Sequence, residues 1–456
     1  MKRTLAEAAR ITGAVLHGQD RPFGQVCSDT RTLEAGELFV ALRGPNFDGN
    51  EFVTAALERG AAGAIVERAQ AIPLPQLVVH DSLAALTALA RAWRNDFTLP
   101  LIAVAGSNGK TTVKEMTAAI MSQAGPCLAT RGNLNNHIGV PLTLLRLDRT
   151  HASAVIEMGA NRAGDIADLG ALARPTVGLV TNAGAEHLEG FGSLEGVARA
   201  EGEMFSALAP DGTAVINADD RFAPLWRELA ARRPSVTFGL EARSDFSARD
   251  LGHRIDSSDR GLEFTLRAAA GERRVRLRLV GRHNVVNALG AAAAASAAGA
   301  TLDGCVRGLE SVRAVHGRLE MRAAANGAAI IDDSYNANPS SVRAAIDLLH
   351  EMGGDAWLVL GDMAELGDYA VSSHAEVGEY ARAQGIARLF ATGRLASHAV
   401  EAFGAGGEWF PDVDTLTRRL AAELAPNSTV LIKGSRINRL ERVVEALAPS
   451  GYMKTA

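Results

Sequence analysis

The chain has 456 residues and a formal net charge of −5, from 47 Lys plus Arg against 52 Asp plus Glu. A chain of this length is too long for one hydrophobic core and predicts about three domains. Acidic residues slightly outnumber basic ones, so the chain has no positive electrostatic field that would attract nucleic acid, and we expect no nucleic-acid partner.

Cysteine spacing and the N-terminus both indicate a cytoplasmic protein. Cys27, Cys127 and Cys305 form no CxxC pair, and we expect them to be reduced, buried thiols. The N-terminal segment MKRTLAEAARITG lacks the apolar stretch of a signal peptide. The run 288–300 is rich in alanine and glycine, so we expect a packed helix there and no membrane insertion.

Residues 1–98 are predicted to form a first, small domain. Short apolar strands at Leu38–Leu42, Ala64–Val66 and Leu77–Val79 alternate with helical patterns, which is typical of α/β structure. The segment Asp96–Pro100 is short and polar and ends in a proline, and we interpret it as a linker.

Residues 99–312 and 313–456 are predicted to form two further α/β domains. Leu101–Ala105, Ala154–Met158 and Val177–Thr181 are nearly continuous apolar runs, typical of parallel strands buried on both faces. Polar motifs at the ends of such strands place ligands in the clefts between domains. The strands predicted for the last domain are Ala329–Ile331, Trp357–Leu360, Leu389–Ala391 and Val430–Ile432.

A glycine-rich loop follows the strand Leu101–Ala105. Its sequence is Gly106-Ser107-Asn108-Gly109-Lys110-Thr111-Thr112, and an amphipathic helix comes next. Backbone N–H groups, the helix N-terminus, the Lys110 charge and a threonine hydroxyl that can hold Mg²⁺ suit this loop to phosphate. The common phosphate loop has a glycine six residues before its lysine, where this chain has Val104. This shorter form argues against an ordinary P-loop kinase or GTPase.

Three polar residues of the central domain are candidates for metal or phosphate chemistry. Glu157 ends a strand, where a carboxylate can hold magnesium, although acids are common at strand ends without any function. His187 follows the next strand, and the alternative is a solvated loop histidine. Glu201 lies on the apolar face of a predicted helix and there needs a cation or a hydrogen-bond partner. The alternative is a helix rotated so that Glu201 reaches solvent.

Further polar groups lie on the helix after Gly281 and at the ends of later strands. Asn284 and Asn287 share one face of an alanine-rich helix beside His283, which favours contacts with a base or ribose. Asp332 and Asp333 end a strand, and either could instead only cap a turn. Two cations and a hydroxyl suited to a carboxylate or phosphate are Lys433, Ser435 and Arg436.

Taken in order, these segments closely resemble the Mur ligase family. The strings SDTRTLEAGELFVALRGPNFDGNEFV, TRGNLNNHIGVPLTLL, EMGANRAGDI, DDSYNANPSS and LGDMAELG carry the resemblance, which covers nearly the whole chain. It implies an N-terminal α/β domain that binds the UDP end of a substrate, a central P-loop ATPase domain with a parallel sheet, and a C-terminal Rossmann-like α/β domain. It also implies an ATP- and Mg²⁺-dependent ligase, which we expect to be a monomer.

The strings are typical of the family member that adds D-alanyl-D-alanine to UDP-N-acetylmuramoyl-tripeptide. The implied reaction proceeds through an acyl phosphate and gives the UDP-muramoyl-pentapeptide precursor of peptidoglycan. Alternatives are the sister ligase that adds the third stem-peptide residue and a folylpolyglutamate-synthase-like ligase, and GNLNNHIGVP and DDSYNANP count against both. A nucleotide-gated binding protein or a structural protein explains the polar clusters less well.

The resemblance also implies roles for single residues. Gly106 to Thr112 would bind ATP, with Lys110 on the phosphates and Thr111 on magnesium, and Glu157 and His187 would hold the metal. The other nucleotide contacts would come from Asn284, Asn287, Arg318 and Asp333. Residues facing the muramoyl-peptide substrate would be Ser28, Thr30, Arg31, Asn46, Asp48, Asn135 and Asn136.

One position departs from the family pattern. Where this chain has Glu201, the family usually has a lysine that becomes carbamylated and so carries a negative charge near magnesium. Glu201 cannot be carbamylated, and we hypothesise that its own carboxylate supplies that charge. Glu203 is a weaker substitute because it lies on the opposite side of the helix.

Overall fold

The computed structural model describes residues 3–45, 47–255 and 260–449, which form three main β-sheets flanked by helices. Most strand pairs in these sheets are parallel, and this confirms the α/β class. The proposed division of the chain at residues 98 and 312 stays a prediction.

The N-terminal sheet has five strands, and its first pair is antiparallel while the others are parallel. Their spatial order is Val15–His17, Gln76–Val78, Gly63–Val66, Leu38–Val40 and Val26–Cys27. Two short antiparallel ladders join Arg3–Thr4 to Pro22–Phe23 and Arg43–Gly44 to Phe47–Asp48. The helices of this region are Leu5–Thr12, Val53–Glu58 and Ser82–Arg94, with a 3₁₀ turn at Gly49–Phe52.

The central sheet has six parallel strands and confirms the predicted buried runs. In spatial order they are Cys127–Ala129, Ser153–Glu157, Leu101–Ala105, Val177–Val180, Thr213–Asn217 and Ser235–Phe238. The chain moves to one side of Leu101–Ala105 and then to the other. Ligands of open α/β sheets bind at such a reversal of strand order, beyond the carboxyl ends of the strands.

Eight helices of the described residues surround this sheet. They are Lys110–Met121, Gly139–Leu144, Asp165–Ala173, Leu188–Phe191, Leu194–Ser206, Ala223–Ala230, Arg282–Ala297 and Leu302–Ser311. Helix Lys110–Met121 buries Val113, Met116 and Ile120, because residues three and four apart share a helix face. This confirms the amphipathic helix predicted after the glycine-rich loop.

A three-stranded antiparallel sheet packs beside the central sheet and was not predicted. Its strands are Ser247–Ile255, Arg260–Ala268 and Gly271–Leu277. The signal for it is the alternation of Leu262, Phe264 and Leu266, which are all buried, with residues that are more exposed. The long run of arginines around these strands obscures that alternation.

The C-terminal sheet has six strands, of which only the first pair is antiparallel. Their order is Glu320–Ala323, Ala329–Asp333, Ser428–Lys433, Asp355–Leu360, Arg388–Thr392 and Gly407–Phe410. The helices are Pro339–Met352, Ala370–Ala383, Ala396–Phe403, Val413–Glu423 and Glu441–Leu447, and the 3₁₀ turns are Gly367–Tyr369 and Arg436–Asn438. Asn338 caps the first helix and Pro339 takes its first position.

The N-terminal and central sheets share a hydrophobic core that the C-terminal sheet does not join. One core cluster joins a face of the N-terminal sheet to a face of the central sheet, whereas the C-terminal sheet has separate clusters on its two faces. Arg94 ties the first two regions together, because its guanidinium donates to the carbonyl oxygens of Phe97, Ala173 and Arg174.

Two expectations about composition have different outcomes. Among the described residues, no helix has both the length and the apolar character needed to span a bilayer. The three cysteines are free, but only Cys305 is buried. The expectation of buried thiols is wrong for Cys27 and Cys127, which are half-buried because each lies in a strand at the edge of its sheet.

Candidate active site

A cavity of about 600 Å³ lies between the carboxyl ends of the central strands and the C-terminal sheet. The glycine-rich loop forms its floor, and its walls come from segments that follow other central strands, from helix Arg282–Ala297 and from the C-terminal region. The candidate residues that line it are Ser107 to Thr112, Asn135, Asn136, Glu157, His187, Asn284, Asn287, Arg318, Asp333 and Lys433. These positions come from distant parts of the chain, and the fold brings them together.

Two glycines of the loop hold backbone conformations that other residues rarely adopt. Gly106 has φ +118° and Gly109 has φ +81°. A Cβ on Gly106 would lie 2.2 Å from Oγ1 of Thr181, and one on Gly109 would lie 2.6 Å from Oδ1 of Asn287. The loop therefore packs too closely against its neighbours for any side chain at these two positions.

The helix after the loop begins without a side-chain cap. Lys110 is its first residue, and Gly109 at the N-cap position provides no side-chain hydrogen bond. The first N–H groups of a helix have no partner within the helix, and they carry the positive end of its dipole. This end opens into the cavity and suits a phosphate group.

Lys110 folds back over the loop. Its ammonium donates to the carbonyl oxygens of Gly106 and Ser107, the latter at 3.0 Å, and lies 3.2 Å from Oε1 of Glu186. Burial by itself would lower the pKa of Lys110, but the carboxylates of Glu186, Glu201 and Glu157 outweigh it and raise the pKa above its usual value. The lysine is therefore charged and held beside the N-terminal end of the helix.

Glu157 has one carboxylate oxygen that is suited to a cation. The side chain is 2% exposed, and Oε1 accepts a hydrogen bond of 2.9 Å from Nδ2 of Asn135. Oε2 is buried and has no hydrogen-bond partner among the described residues. A buried carboxylate oxygen without a partner is costly. An oxygen-seeking cation such as Mg²⁺ would satisfy it, so the residues present fit that ion.

Glu201 lies behind the loop rather than in the cavity. It is 1% exposed, as its inward-facing position predicted, and Oε2 accepts a 2.7 Å hydrogen bond from the N–H of Gly106. Burial raises its pKa to about 7, with Lys110 opposing and Glu186 adding to the shift. Glu201 does not line the cavity, so its role as a direct metal ligand stays a prediction.

The C-terminal sheet contributes directly to this site. Nδ2 of Asn338 donates to Oδ1 of Asn108 at 2.8 Å, and Nδ2 of Asn108 donates to Oγ of Ser340 at 3.0 Å. Nδ1 of His187 contacts the carboxylate of Glu365. The two sheets therefore meet across the phosphate loop.

The two asparagines of helix Arg282–Ala297 hold each other in place. Nδ2 of Asn284 donates to the carbonyl of Val280 at 2.7 Å, and Nδ2 of Asn287 donates to Oδ1 of Asn284 at 3.0 Å. Both are buried and line the cavity, beside Gly109. Neighbouring His283 also lines it, and burial, with a smaller effect of Lys433, lowers its pKa to about 4. The imidazole is therefore neutral at physiological pH.

Arg318 and Asp333 face the cavity from the C-terminal sheet. The Arg318 guanidinium lies 4.3 Å from the ring centroid of Tyr335, a cation–π geometry. Oδ2 of Asp333 accepts a 2.6 Å hydrogen bond from Lys433. Burial raises the pKa of Asp333, although Lys433 opposes that shift. Lys433 is thus the partner of Asp333 in this structure.

Other predicted substrate residues lie away from the cavity. Oγ of Ser435 accepts from the N–H of Ala364, and exposed Arg436 pairs with Glu441. In the N-terminal region, Ser28 and Thr30 are half-buried. Arg31 pairs with Asp29, and Asp48 accepts from Asn50 and Arg68. Asn46 lies outside the described residues. The roles given to this set stay predictions.

A second group of titratable residues lies around the guanidinium of Arg322. Ligand atoms of His316, Glu320 and Asp332 lie within 4.8 Å of one another. The Arg322 guanidinium donates to His316 at 2.9 Å and to Glu320 at 3.3 Å, so it supplies the cation there. Oδ1 of Asp332 accepts from the N–H and Oγ of Ser334, which favours the turn-capping alternative for this residue.

Four contributors to the site were not predicted from the sequence. They are Glu186, Tyr335, Ser340 and Glu365. Glu186 directly precedes the candidate His187, and Ser340 lies within the string DDSYNANPSS, so the sequence already indicated the neighbourhood of both residues. Their partners are far away in the chain, and no local pattern indicates such pairs.

Sequence models of one family match most of the chain. The Mur ligase middle domain matches residues 104–295, the Mur ligase glutamate ligase domain matches 317–436, and the Mur ligase family catalytic domain matches 23–123. The chain is also 46% identical over 451 residues to UDP-N-acetylmuramoyl-tripeptide–D-alanyl-D-alanine ligase of Escherichia coli strain K12, covering 98% of this chain and 99% of that protein.

Solved structures give the same result. The crystal structure of MurF from Acinetobacter baumannii has a TM-score of 0.90 and 34% identity, and covers 97% of this chain and 98% of that one. MurF ligase from Thermotoga maritima in complex with ADP has a TM-score of 0.80 and 28% identity, with 92% and 96% covered. With its short phosphate loop and the polar residues gathered around it, the chain belongs to the Mur ligase family.

Proposed function

We propose that this protein is an ATP-dependent ligase that joins D-alanyl-D-alanine to UDP-N-acetylmuramoyl-tripeptide, with ADP and phosphate as products. The observation that carries the proposal is the 46% identity, over essentially full length, to a protein named for this reaction. The phosphate-binding cavity fits it, because a carboxylate does not condense with an amine in water unless it is first activated.

In the first step, an oxygen of the terminal carboxylate of the tripeptide attacks the γ-phosphorus of ATP. The P–O bond to ADP breaks, and the tripeptide becomes an acyl phosphate. Two anions must approach, and like charges about 4 Å apart repel by roughly 4 kcal/mol at an effective dielectric constant near 20. We propose that Lys110, which lies over the loop, and the uncapped N–H groups of its helix offset that repulsion.

Magnesium fits the site through Glu157, whose Oε2 has no hydrogen-bond partner in the described part of the chain. We propose that Glu157, Thr111 and His187 hold the ion. When bound, it neutralises charge on the phosphate oxygens. Glu157 is kept in position by its hydrogen bond from Asn135.

In the second step, the amine of D-alanyl-D-alanine attacks the acyl carbon. The C–O bond to phosphate breaks, phosphate leaves, and the amine nitrogen loses a proton. Water would destroy the acyl phosphate, so the site must be closed while it exists. The contacts of Asn108 with Asn338 and Ser340 support a closed arrangement of the two sheets.

We propose that Glu201 contributes to the reaction through the phosphate loop, whose backbone it supports. Its carboxyl group accepts from the N–H of Gly106 and faces Lys110, so without carbamylation it supplies negative charge beside the loop in its ionised form, which is partly populated at neutral pH. We expect Glu201→Ala to lower the rate and change its magnesium dependence. An unchanged rate and an unchanged magnesium dependence would remove Glu201 from the proposal.

The remaining residue roles belong to the same proposal. Asn284, Asn287, Arg318 and Asp333 would contact the nucleotide, since they line the cavity beside the loop. The N-terminal candidates and Asn135 to Asn136 would face the UDP-muramoyl-peptide. We also propose a monomer that acts in the cytoplasm, where nucleotide substrates and reduced cysteines are found.

Product analysis tests the proposal. Purified protein would be incubated with ATP, Mg²⁺, D-alanyl-D-alanine and a UDP-tripeptide ending in either lysine or diaminopimelate. We expect mass spectrometry to show a UDP-muramoyl-pentapeptide, with ADP and phosphate formed in equal amounts. ATP turnover without the dipeptide, or AMP as the product, would contradict the proposal.

A further inference from the structure

His187 and Glu365 form a contact between the central and C-terminal sheets. His187 directly precedes the short helix Leu188–Phe191, and Glu365 lies in the loop that follows strand Asp355–Leu360. An oxygen of the Glu365 carboxylate meets Nδ1 of the His187 ring. The contact joins a cavity-lining residue to a loop of the opposite sheet.

Both residues have unusual backbone conformations. His187 has φ +48° and Glu365 has φ +61°, in the left-handed region that side chains other than glycine rarely enter. Such conformations cost free energy and persist where the surrounding structure holds them, often at functional positions. The two residues therefore meet while the backbone at each of them is held in an uncommon conformation.

The loop that carries Glu365 is fixed by buried contacts on both sides of it. His374 is fully buried, and its Nε2 accepts from the N–H of Met363 at 2.9 Å while its Nδ1 donates to the carbonyl of Ala370 at 2.6 Å. Met363 and Leu366 are buried in the core of the C-terminal sheet. Glu365 thus stands on a rigid support, although its own side chain is 58% exposed.

A carboxylate beside one ring nitrogen decides where a neutral histidine keeps its proton. With Glu365 at Nδ1, the proton is favoured on Nδ1 and the lone pair lies on Nε2. Histidines that bind metals nearly always have such a partner on the other nitrogen, and it fixes both ring orientation and basicity. Nε2 is then the nitrogen left for the cavity that His187 lines.

We propose that Glu365 is a positioning residue that prepares His187 as a metal ligand when the C-terminal sheet closes on the central sheet. The inference rests on the proposed function, since it assigns the cation of that reaction to Nε2 of His187. It makes completion of the metal site depend on a residue of the opposite sheet. Loss of the sheet contact would then weaken metal binding.

The tautomer of His187 tests the inference directly. The full chain, labelled with ¹⁵N-histidine and saturated with ADP without metal, would be studied by long-range ¹H–¹⁵N NMR, with His187→Gln identifying its signal among 11 histidines. We expect Nδ1–H in the parental protein, a shift toward Nε2–H in Glu365→Ala, and partial retention of Nδ1–H in Glu365→Gln. The inference fails if Glu365→Ala keeps the parental tautomer, or if the parental protein lacks Nδ1–H.

Metal affinity is the second readout. Mn²⁺ would be titrated into the full chain with ADP, free Mn²⁺ would be followed by its EPR signal, and an ADP blank would be subtracted. We expect Glu365→Ala to weaken binding about tenfold or more, as loss of such partners does elsewhere. The matched control is Asp368→Asn, which removes an exposed acid of the same loop that does not contact His187 and should change the affinity less than about twofold.

The outcomes separate the two proposals. If the parental chain does not bind Mn²⁺ with ADP, both the proposed function and the inference about Glu365 fail. If the parental chain, Asp368→Asn and Glu365→Ala all bind equally, only the inference fails. Equal weakening in Asp368→Asn and Glu365→Ala would also overturn it, because a general charge effect would then be the cause.

Discussion

At the scale of single residues, the site is organised around one charged lysine and three carboxylates. Glu186 contacts the ammonium of Lys110, and Glu201 holds the backbone behind it. Glu157 lines the cavity, and its Oε2 has no hydrogen-bond partner among the described residues. These acids keep Lys110 charged although it is buried. The arrangement places a cation beside the helix end for which we propose phosphate binding, with acids on either side.

Glu201 should make stability depend on pH. Its pKa is about 7 in the folded chain against 4.5 for the ordinary side chain, so between these values the folded state binds more protons than the unfolded state. The free energy of unfolding therefore falls as pH rises from about 4.5 to about 7, by an amount on the order of 3 kcal/mol. Glu201→Gln stays neutral and should lose this dependence.

Urea denaturation of the metal-free protein at pH 5 and pH 8 measures the effect. The control is Glu195→Gln in the same helix, an exposed acid paired with Arg199, which should keep the parental pH dependence. Parallel pH profiles for parental protein and Glu201→Gln would show that Glu201 does not titrate in this range.

Gly106→Ala should disable nucleotide binding. The new Cβ would lie 2.2 Å from Oγ1 of Thr181 and 2.7 Å from its backbone nitrogen, so the loop must move into the cavity. A distortion costing about 1 to 3 kcal/mol corresponds to a loss of roughly 5- to 140-fold in affinity for ADP. Calorimetric titration with ADP checks it, with Gly252→Ala as a control whose Cβ meets nothing within 4 Å. Parental affinity in Gly106→Ala would contradict the close packing of the loop.

At the scale of elements, the sequence predicts parallel strands well. Leu101–Ala105 has the predicted bounds, since a continuous apolar run buried on both faces leaves few alternatives. The antiparallel sheet 247–277 was missed, because its charged faces interrupt each apolar run. Pairs such as Asn108 with Ser340 could not be predicted, because 232 positions separate them and only the packed sheets bring them together.

Asn338 both caps a helix and contacts the phosphate loop, so substitutions at this position should show both effects. Its Oδ1 caps helix Pro339–Met352 through the N–H of Ser341, and its Nδ2 donates to Asn108. Asn338→Ala should destabilise the protein by about 1 kcal/mol through the lost cap. Asn338→Asp should keep the cap but lose the donor to Asn108, and so raise the KM for ATP without that loss of stability.

Urea unfolding and initial rates measured on the same samples distinguish these effects. If Asn338→Asp has the parental KM, the contact with Asn108 does not contribute to the working site. If Asn338→Ala unfolds at the parental urea concentration, the cap does not stabilise this helix.

At the scale of the whole molecule, the N-terminal and central sheets form one packed unit and the C-terminal sheet has its own cores. The cavity lies where the C-terminal sheet meets that unit. The resemblance of the sequence to the Mur ligases indicated which segments would converge here, and the loop, Glu157 and the two asparagines do so. It did not predict that Glu201 lies behind the loop. The position of a residue on the apolar face of a helix predicts that its side chain is buried, but not which group it contacts.

The central claim is that ATP activates the carboxylate of the substrate, and an isotope label tests it most directly. UDP-N-acetylmuramoyl-tripeptide with ¹⁸O in its terminal carboxylate would be incubated with ATP, Mg²⁺ and D-alanyl-D-alanine, and the phosphate released would be analysed by mass spectrometry. We predict one ¹⁸O atom in each phosphate from the parental protein, and no such phosphate from Lys110→Ala. Product formation with unlabelled phosphate, or label transfer undiminished in Lys110→Ala, would contradict the account.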